Sequence, residues 1–143
     1  MTNLEKNKKV LKDSLTILTE MGYKPYYYDE DEIQVNCIIN GTSFAIFCDD
    51  TGESDTFGLG IIYEVIEEYS EEEIDKIMDS FESADVPFKY LHYFEEENSF
   101  HVETEMLLDD FSKEALIEIV DAINSEDNVL STIRNISYIW KDE

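Results

Sequence analysis

The segment Ile33–Asp50, IQVNCIINGTSFAIFCDD, decides how this chain is read. Two runs of alternating apolar and polar residues meet at Asn40-Gly41. That dipeptide is the strongest short-range hairpin signal, because both central positions of a tight type I′ turn need positive φ. With a two-residue turn, Ile39 faces Thr42, Cys37 faces Phe44, Val35 faces Ile46 and Ile33 faces Cys48. The apolar members then share one face of the ribbon, so register and hydrophobic pattern agree. The same register separates the two cysteines by four residues along the ribbon, about 13 Å, beyond the roughly 7 Å between Cα atoms that a disulfide spans. They are expected to be buried thiols that do not bridge each other. Asn40-Gly41-Thr42 also matches a glycosylation sequon, as does Asn135-Ile136-Ser137. The turn accounts for Asn40, and Met1–Val10 has no apolar core of a secretory leader.

Outward from the hairpin, residues 4–21 have the spacing of a helix: Leu4, Leu11, Leu15 and Leu18 recur on one side, widened by Val10, Ile17 and Met21. Gly22 stands where a C-terminal cap belongs, with Pro25 beyond it. Tyr26–Asp29 is a short strand, and Asp29–Glu32 a turn. After the polar loop Asp49–Thr56, Phe57–Glu67 is a third long strand. Ser70 opens a helix with a capping box to Glu73, and Ile74, Ile77, Met78 and Phe81 form its buried stripe. Lys89–Phe94 and Ser99–Leu107 form a second hairpin around Glu95–Asn98. A helix from Ser112 carries Leu116, Ile119, Val120 and Ile123. Asn124–Asn128 interrupts it, and a last helical segment is expected to carry Val129, Leu130, Ile133, Ile136 and Trp140. No linker or repeat divides residues 1–143, so one α+β domain is expected.

The chain is 43% hydrophobic and 13% aromatic, enough for a packed core, and carries a formal net charge of −25. Residues 1–24 hold five lysines against three acids, a net of +2, which leaves −27 for the rest. Such a field repels phosphate backbones and anionic lipid, so neither nucleic acid nor membrane is an expected partner. It attracts basic segments of other proteins. Two cysteines in a chain with no visible leader point to a reducing, cytoplasmic setting.

No catalytic constellation stands out. Asp49–Asp55, DDTGESD, has the acidity of a calcium loop but not its spacing, since an EF-hand needs glycine at its sixth position and glutamate at its twelfth. His92 and His101 are the only histidines, and no metal-ligand spacing surrounds them. Gly58-Leu59-Gly60 lacks the rest of a dinucleotide fingerprint. Neither a cofactor nor a metal is expected. The consecutive tyrosines Tyr26, Tyr27 and Tyr28 are the candidate partner-binding residues. Alternation turns at least one of them away from any one core face, and exposed aromatics on an acidic surface suit peptide binding.

The order helix, three strands, helix, two-stranded hairpin, C-terminal helix resembles the fold of the type III secretion chaperones. More closely, the chain resembles the bacterial sensory transduction regulator family. The matching features are the leading helix with LTEMGYKPYYYDEDEIQV, the hairpin NCIINGTSFAIFCDD, the helix at Ser70–Ala84, and FKYLHYFEEENSFHVETEMLLDD before the final helix. The resemblance implies a small acidic homodimer that holds segments of other proteins and has no catalytic residues. The expected function is therefore a non-catalytic, chaperone-like or regulatory binding module. The alternative is an inhibitor-type acidic protein, toxin-neutralising or nucleic-acid-mimicking, that occupies a basic site.

Overall fold

The computed structural model of the protein describes residues 1–141. Helix α1 spans Asn3–Glu20. Strands β1 (Tyr26–Tyr27), β2 (Gln34–Ile39), β3 (Thr42–Cys48) and β4 (Thr56–Glu64) follow. Then come α2 (Glu71–Glu82), β5 (Tyr90–Phe94), β6 (Ser99–Leu107), a 3-10 turn at Leu108–Asp110, α3 (Lys113–Asn124) and α4 (Val129–Asn135). The strands form a sheet in the order β1-β2-β3-β4-β6-β5, with every neighbouring pair antiparallel.

The first hairpin forms as its alternation dictates. Asn40 and Gly41 have φ of 51° and 75°. Ile39 pairs with Thr42, Cys37 with Phe44 and Val35 with Ile46, and the Cys48 N–H donates to the Ile33 carbonyl at 2.9 Å. No disulfide joins Cys37 to Cys48. Val35, Cys37, Ile39, Phe44, Ile46 and Cys48 are all buried on the helix side.

Side chains in the first turn start each helix. Thr2 and Glu5 cap α1 reciprocally, a box that the Thr-x-x-Glu spacing announces. Ser70, Ser112 and Asn128 accept hydrogen bonds from the N–H groups of Glu73, Ala115 and Ser131. At Ser70 the expected box is only half formed: the Glu73 carboxylate accepts from the Ser70 hydroxyl at 3.2 Å instead of reaching back to its backbone. Gly22, at φ 96°, ends α1. The helices lie on one face of the sheet, with α1 against β2 and β3, α3 against β2, and α2 against β5. Leu18, Ile46, Phe100, Val102, Leu116, Val120 and Leu130 are essentially inaccessible. Truncating one such side chain to alanine costs about 2–5 kcal/mol.

Two expectations are corrected. Helix α4 stops at Asn135 and does not reach Trp140. Ser137 instead forms an antiparallel bridge with Val65. The Ile66 N–H donates to Ile136, Tyr138 to Glu64 and Trp140 to Gly41. This extended strap occupies the lane beside β4 that the turn of the first hairpin vacates, and those sheet-like bonds replace the next helical turn. Strand β4, in turn, ends at Glu64 and not at Glu67.

Candidate partner-binding face

With all helices on one side, alternate residues of every strand project from the other side into solvent. Register aligns them in rows. One row crosses the whole sheet: Tyr26, Asn36, Ala45, Gly60, Glu103 and Tyr90. The next holds Gln34, Phe47, Gly58 and Glu105, and the one on the other side holds Ile38, Ser43, Ile62, His101 and His92. The middle of the face is thus made of small residues, Ser43, Ala45, Gly58 and Gly60, which let another chain approach the backbone closely.

Phe47 fills part of that floor. A Cβ on Gly58 would collide with its ring, and one on Gly60 would stand 3.5 Å from its Cε1. The ring divides the face into two grooves. One, of about 510 Å³, runs toward β5 between Phe47 and Tyr90, with Glu103, Glu105 and Asp49 along it. The other, of about 340 Å³, runs toward β2 between Phe47 and Tyr28, over Asn36, Ala45 and Gly60. Among the described residues, no lysine or arginine lines either groove.

The three consecutive tyrosines separate by strand parity. Tyr26 and Tyr28 are exposed on the open face, Tyr26 in the row of Asn36 and Tyr28 in the second groove. Tyr27 pairs with Val35 and packs against the core. Burial, and next the Glu32 carboxylate, push its phenol pKa up. His92 and His101 face each other directly across β5 and β6. The ring of His92 stacks on Tyr90, and that of His101 lies 4.4 Å from Phe94. Among the described residues the Nε2 of His101 finds no hydrogen-bond partner, and the nearest carboxylate oxygen is on Glu97 at 3.8 Å. Among the described residues no group of three metal-ligating side chains comes together.

The acidic loop after β3 is organised by its own first residue. Asp49 accepts hydrogen bonds from the N–H and hydroxyl of Thr51 and from the N–H of Ser54. Those bonds, chiefly from the Thr51 hydroxyl, hold its carboxyl below the usual range. It closes a turn. Behind it, burial pushes the Cys48 thiol up to about 12, so it is an inert core residue.

Phe47, Ile62 and the glycines Gly58 and Gly60 escaped the sequence reading, although each left a trace. Phe47 breaks the phase of its strand: Ser43 and Ala45 share its parity, while Phe44, Ile46 and Cys48 occupy the core parity. Ile61-Ile62 cannot both face inward in a strand. Two glycines at i and i+2 fall on one face, where they mark a close approach.

No family model matches the chain, and no curated protein does, so the resemblance to the bacterial sensory transduction regulators gains no support from sequence. Solved structures do share the fold. A chain of the HopA1–SchA chaperone–effector complex is similar with a TM-score of 0.55 and 13% identity, over 89% of this chain and 93% of that one. An uncharacterized protein from Methanothermobacter thermautotrophicus is similar with a TM-score of 0.60 and 21% identity, over 88% of this chain and 97% of that one. At these identities the likeness is one of fold, and it agrees with the α+β, type III secretion chaperone-like architecture expected from the order of elements.

Proposed function

We propose that this protein is a non-catalytic binding module whose helix-free sheet face holds a segment of a protein partner, in a chaperone-like or regulatory role. One observation carries the reading. Of the thirteen exposed large hydrophobics among the described residues, seven belong to this face: Tyr26, Tyr28, Phe47, Ile62, Tyr90, Phe94 and Leu107. Apolar surface gathered in one place, in a chain this charged, is what an interaction site requires. Among the described residues, carboxylates and no lysine or arginine line the two grooves of this face, which favours a segment that is both apolar and basic. The fold likeness to a chain of a chaperone–effector complex supports the same reading. Tyr26 and Tyr28 are the partner-binding members of the tyrosine run, and Tyr27 is their packed support. No cofactor is invoked. Buried cysteines that do not bridge each other suit a reducing compartment, and the cytoplasm is the proposed location.

A homodimer belongs to this reading. Ile66, Tyr138, Ile139 and Trp140 are a second exposed apolar cluster, at the end of the sheet, and a second copy docked there leaves the open face to the partner. The basic first helix is not wholly available to that copy, because Lys6 already pairs with Asp109 at 2.7 Å and Lys9 with Asp13 at 2.6 Å.

The test is comparative capture from the native cell. Wild-type protein and the Lys76→Glu variant of the helix side are expected to retain the same partner. Ile62→Glu and Tyr26→Glu are expected to lose it with unchanged circular dichroism. Retention by Ile62→Glu would refute the open face as the site. Steep loss of the wild-type complex with salt alone would favour an acidic inhibitor instead.

A further inference from the structure

We infer that the groove between Phe47 and Tyr90 is the seat of one arginine side chain of the partner segment, an assignment that rests on the proposed binding role of the open face. Glu103 lies directly across from Gly60, and Glu105 across from Gly58. Because those glycines have no side chains, neither carboxylate meets a cross-strand neighbour on β4. Among the described residues neither takes part in an ion pair. Both line the same groove, so two uncompensated negative charges share a space with the rings of Phe47, Tyr90 and His92. Asp49, at the rim, adds field more than contact. Its oxygens already accept from Thr51 and Ser54, and those hydrogen bonds keep it ionised.

The combination selects a guanidinium. A metal ion wants three or more converging ligands, and the groove has no such group. An apolar side chain would desolvate the two carboxylates and leave them without partners. A guanidinium satisfies both demands: its planar face stacks on an aromatic ring, and its forked N–H groups meet carboxylate oxygens. Phe47 suits the role of a wall because Gly58 and Gly60 give its ring a fixed bed, so little ordering is left to binding. An ammonium fills the space less well, since it lacks the plane.

The probe is an acetylated, amidated peptide of alternating leucine and arginine, compared with the same peptide carrying citrulline, which keeps the shape and removes the charge. Binding is followed on isotope-labelled protein at about 0.15 M salt, where long-range charge is screened. The arginine peptide is expected to shift the amide signals of Gly58, Gly60, Glu103, Glu105 and Tyr90. It is expected to bind roughly tenfold or more tighter than the citrulline peptide, the equivalent of about 1.4 kcal/mol. Glu103→Gln with Glu105→Gln should abolish that difference, whereas Glu71→Gln with Glu72→Gln on α2 should keep it. Equal binding of the two peptides, equal weakening by both pairs of substitutions, or shifts confined to other surfaces would overturn the assignment. If neither peptide binds while Ile62→Glu still loses the native partner, the arginine seat falls and the open face stands. If Ile62→Glu keeps the partner, the open face itself falls.

Discussion

The ring of Phe47 rests on Gly58, in the space that any other residue's Cβ would occupy. The two residues are cross-strand partners in β3 and β4, and the pair sets the relief of the open face. Gly58→Ala is expected to eject the ring without unfolding the sheet, because only the far end of a half-exposed side chain has to move. The lost ring packing is offset by about 0.5–1 kcal/mol from replacing a strand glycine, so stability in urea should stay within about 1 kcal/mol of wild type. The diagnostic is the ring-current displacement of the Gly60 α-protons, which should vanish equally in Gly58→Ala and Phe47→Leu. A persistent displacement in Gly58→Ala would contradict the geometry.

Asn98 closes the second hairpin in a conformation with φ of 48°. Its amide nitrogen donates to the carbonyls of Val65 at 3.3 Å and Glu67 at 2.9 Å, and its amide oxygen accepts from the Tyr93 hydroxyl at 2.6 Å. One side chain thus ties the β5–β6 turn to the exit of β4. Asn98→Ala loses three hydrogen bonds and leaves in left-handed backbone a residue that tolerates it less well than asparagine, for an expected cost of about 2–4 kcal/mol. Asn98→Gly loses the same bonds without the backbone penalty and should be about 1 kcal/mol less destabilised. Equal losses in chemical denaturation would mean that backbone strain plays no part.

These two sites show what a sequence can and cannot disclose. The Asn40-Gly41 turn was legible because its requirement is local: two positive φ values and an alternation that fixes every rung. Helix starts at Ser70 and Ser112 were legible for the same reason, and the box of Thr2 and Glu5 was present to be read. Asn98 looked like one member of an acidic turn, since its partners at Val65 and Glu67 are about thirty residues away. The stop of α4 before Trp140 was hidden likewise. Val129, Leu130, Ile133 and Ile136 keep helical spacing, but the strap belongs to backbone groups of Glu64 and Gly41. The open face lay between these extremes, its residues out of phase in their strands and its identity as one surface dependent on the strand order.

Burial makes the alkaline limb of stability predictable. The folded-state pKa of Cys48 is raised to about 12, and that of the Tyr63 phenol is also raised, by burial against an opposing effect of Arg134. Below the unfolded-state value near 9 the Cys48 thiol is neutral in both states and costs nothing. Above it the unfolded chain ionises and the folded one does not, so stability falls with a slope approaching about 1.4 kcal/mol per pH unit for one group. Cys48→Val should flatten the decline between about pH 9 and 10. An identical slope in the variant would assign the loss elsewhere. At neutral pH, native Cys48 should resist alkylation until the protein is unfolded.

The excess of negative charge should show in salt. A formal charge of −25 on 16.7 kDa means that most carboxylates see more repulsion than attraction, while ion pairs such as Lys113–Glu20 are surface-exposed and contribute little. Raising sodium chloride from about 0.01 to 0.3 M shortens the screening length from roughly 30 Å to under 10 Å. The melting temperature should rise across that range. A flat or falling curve would show that compensation inside the fold outweighs the net charge.

Among the described residues, Arg134 is the one cation taken into the interior, 5% exposed. Its guanidinium donates to the carbonyl of Ile123 at 2.6 Å and more weakly to that of Ser125 at 3.4 Å. It thereby satisfies the C-terminal end of α3 from α4, where the helix leaves carbonyls without intrahelical donors. Its ion pair with Glu126, at 3.2 Å, faces solvent on the glutamate side. The two contacts should therefore differ in worth. Glu126→Gln removes a screened charge and should cost less than about 1 kcal/mol. Arg134→Met leaves the Ile123 and Ser125 carbonyls without their donor, and should cost about 2–4 kcal/mol at any salt concentration. Arg134→Lys should recover only part of the loss, because one ammonium cannot span both carbonyls as the fork does. Comparable losses in Glu126→Gln and Arg134→Met would assign the role of Arg134 to its surface ion pair, and the junction of α3 with α4 would then need another explanation.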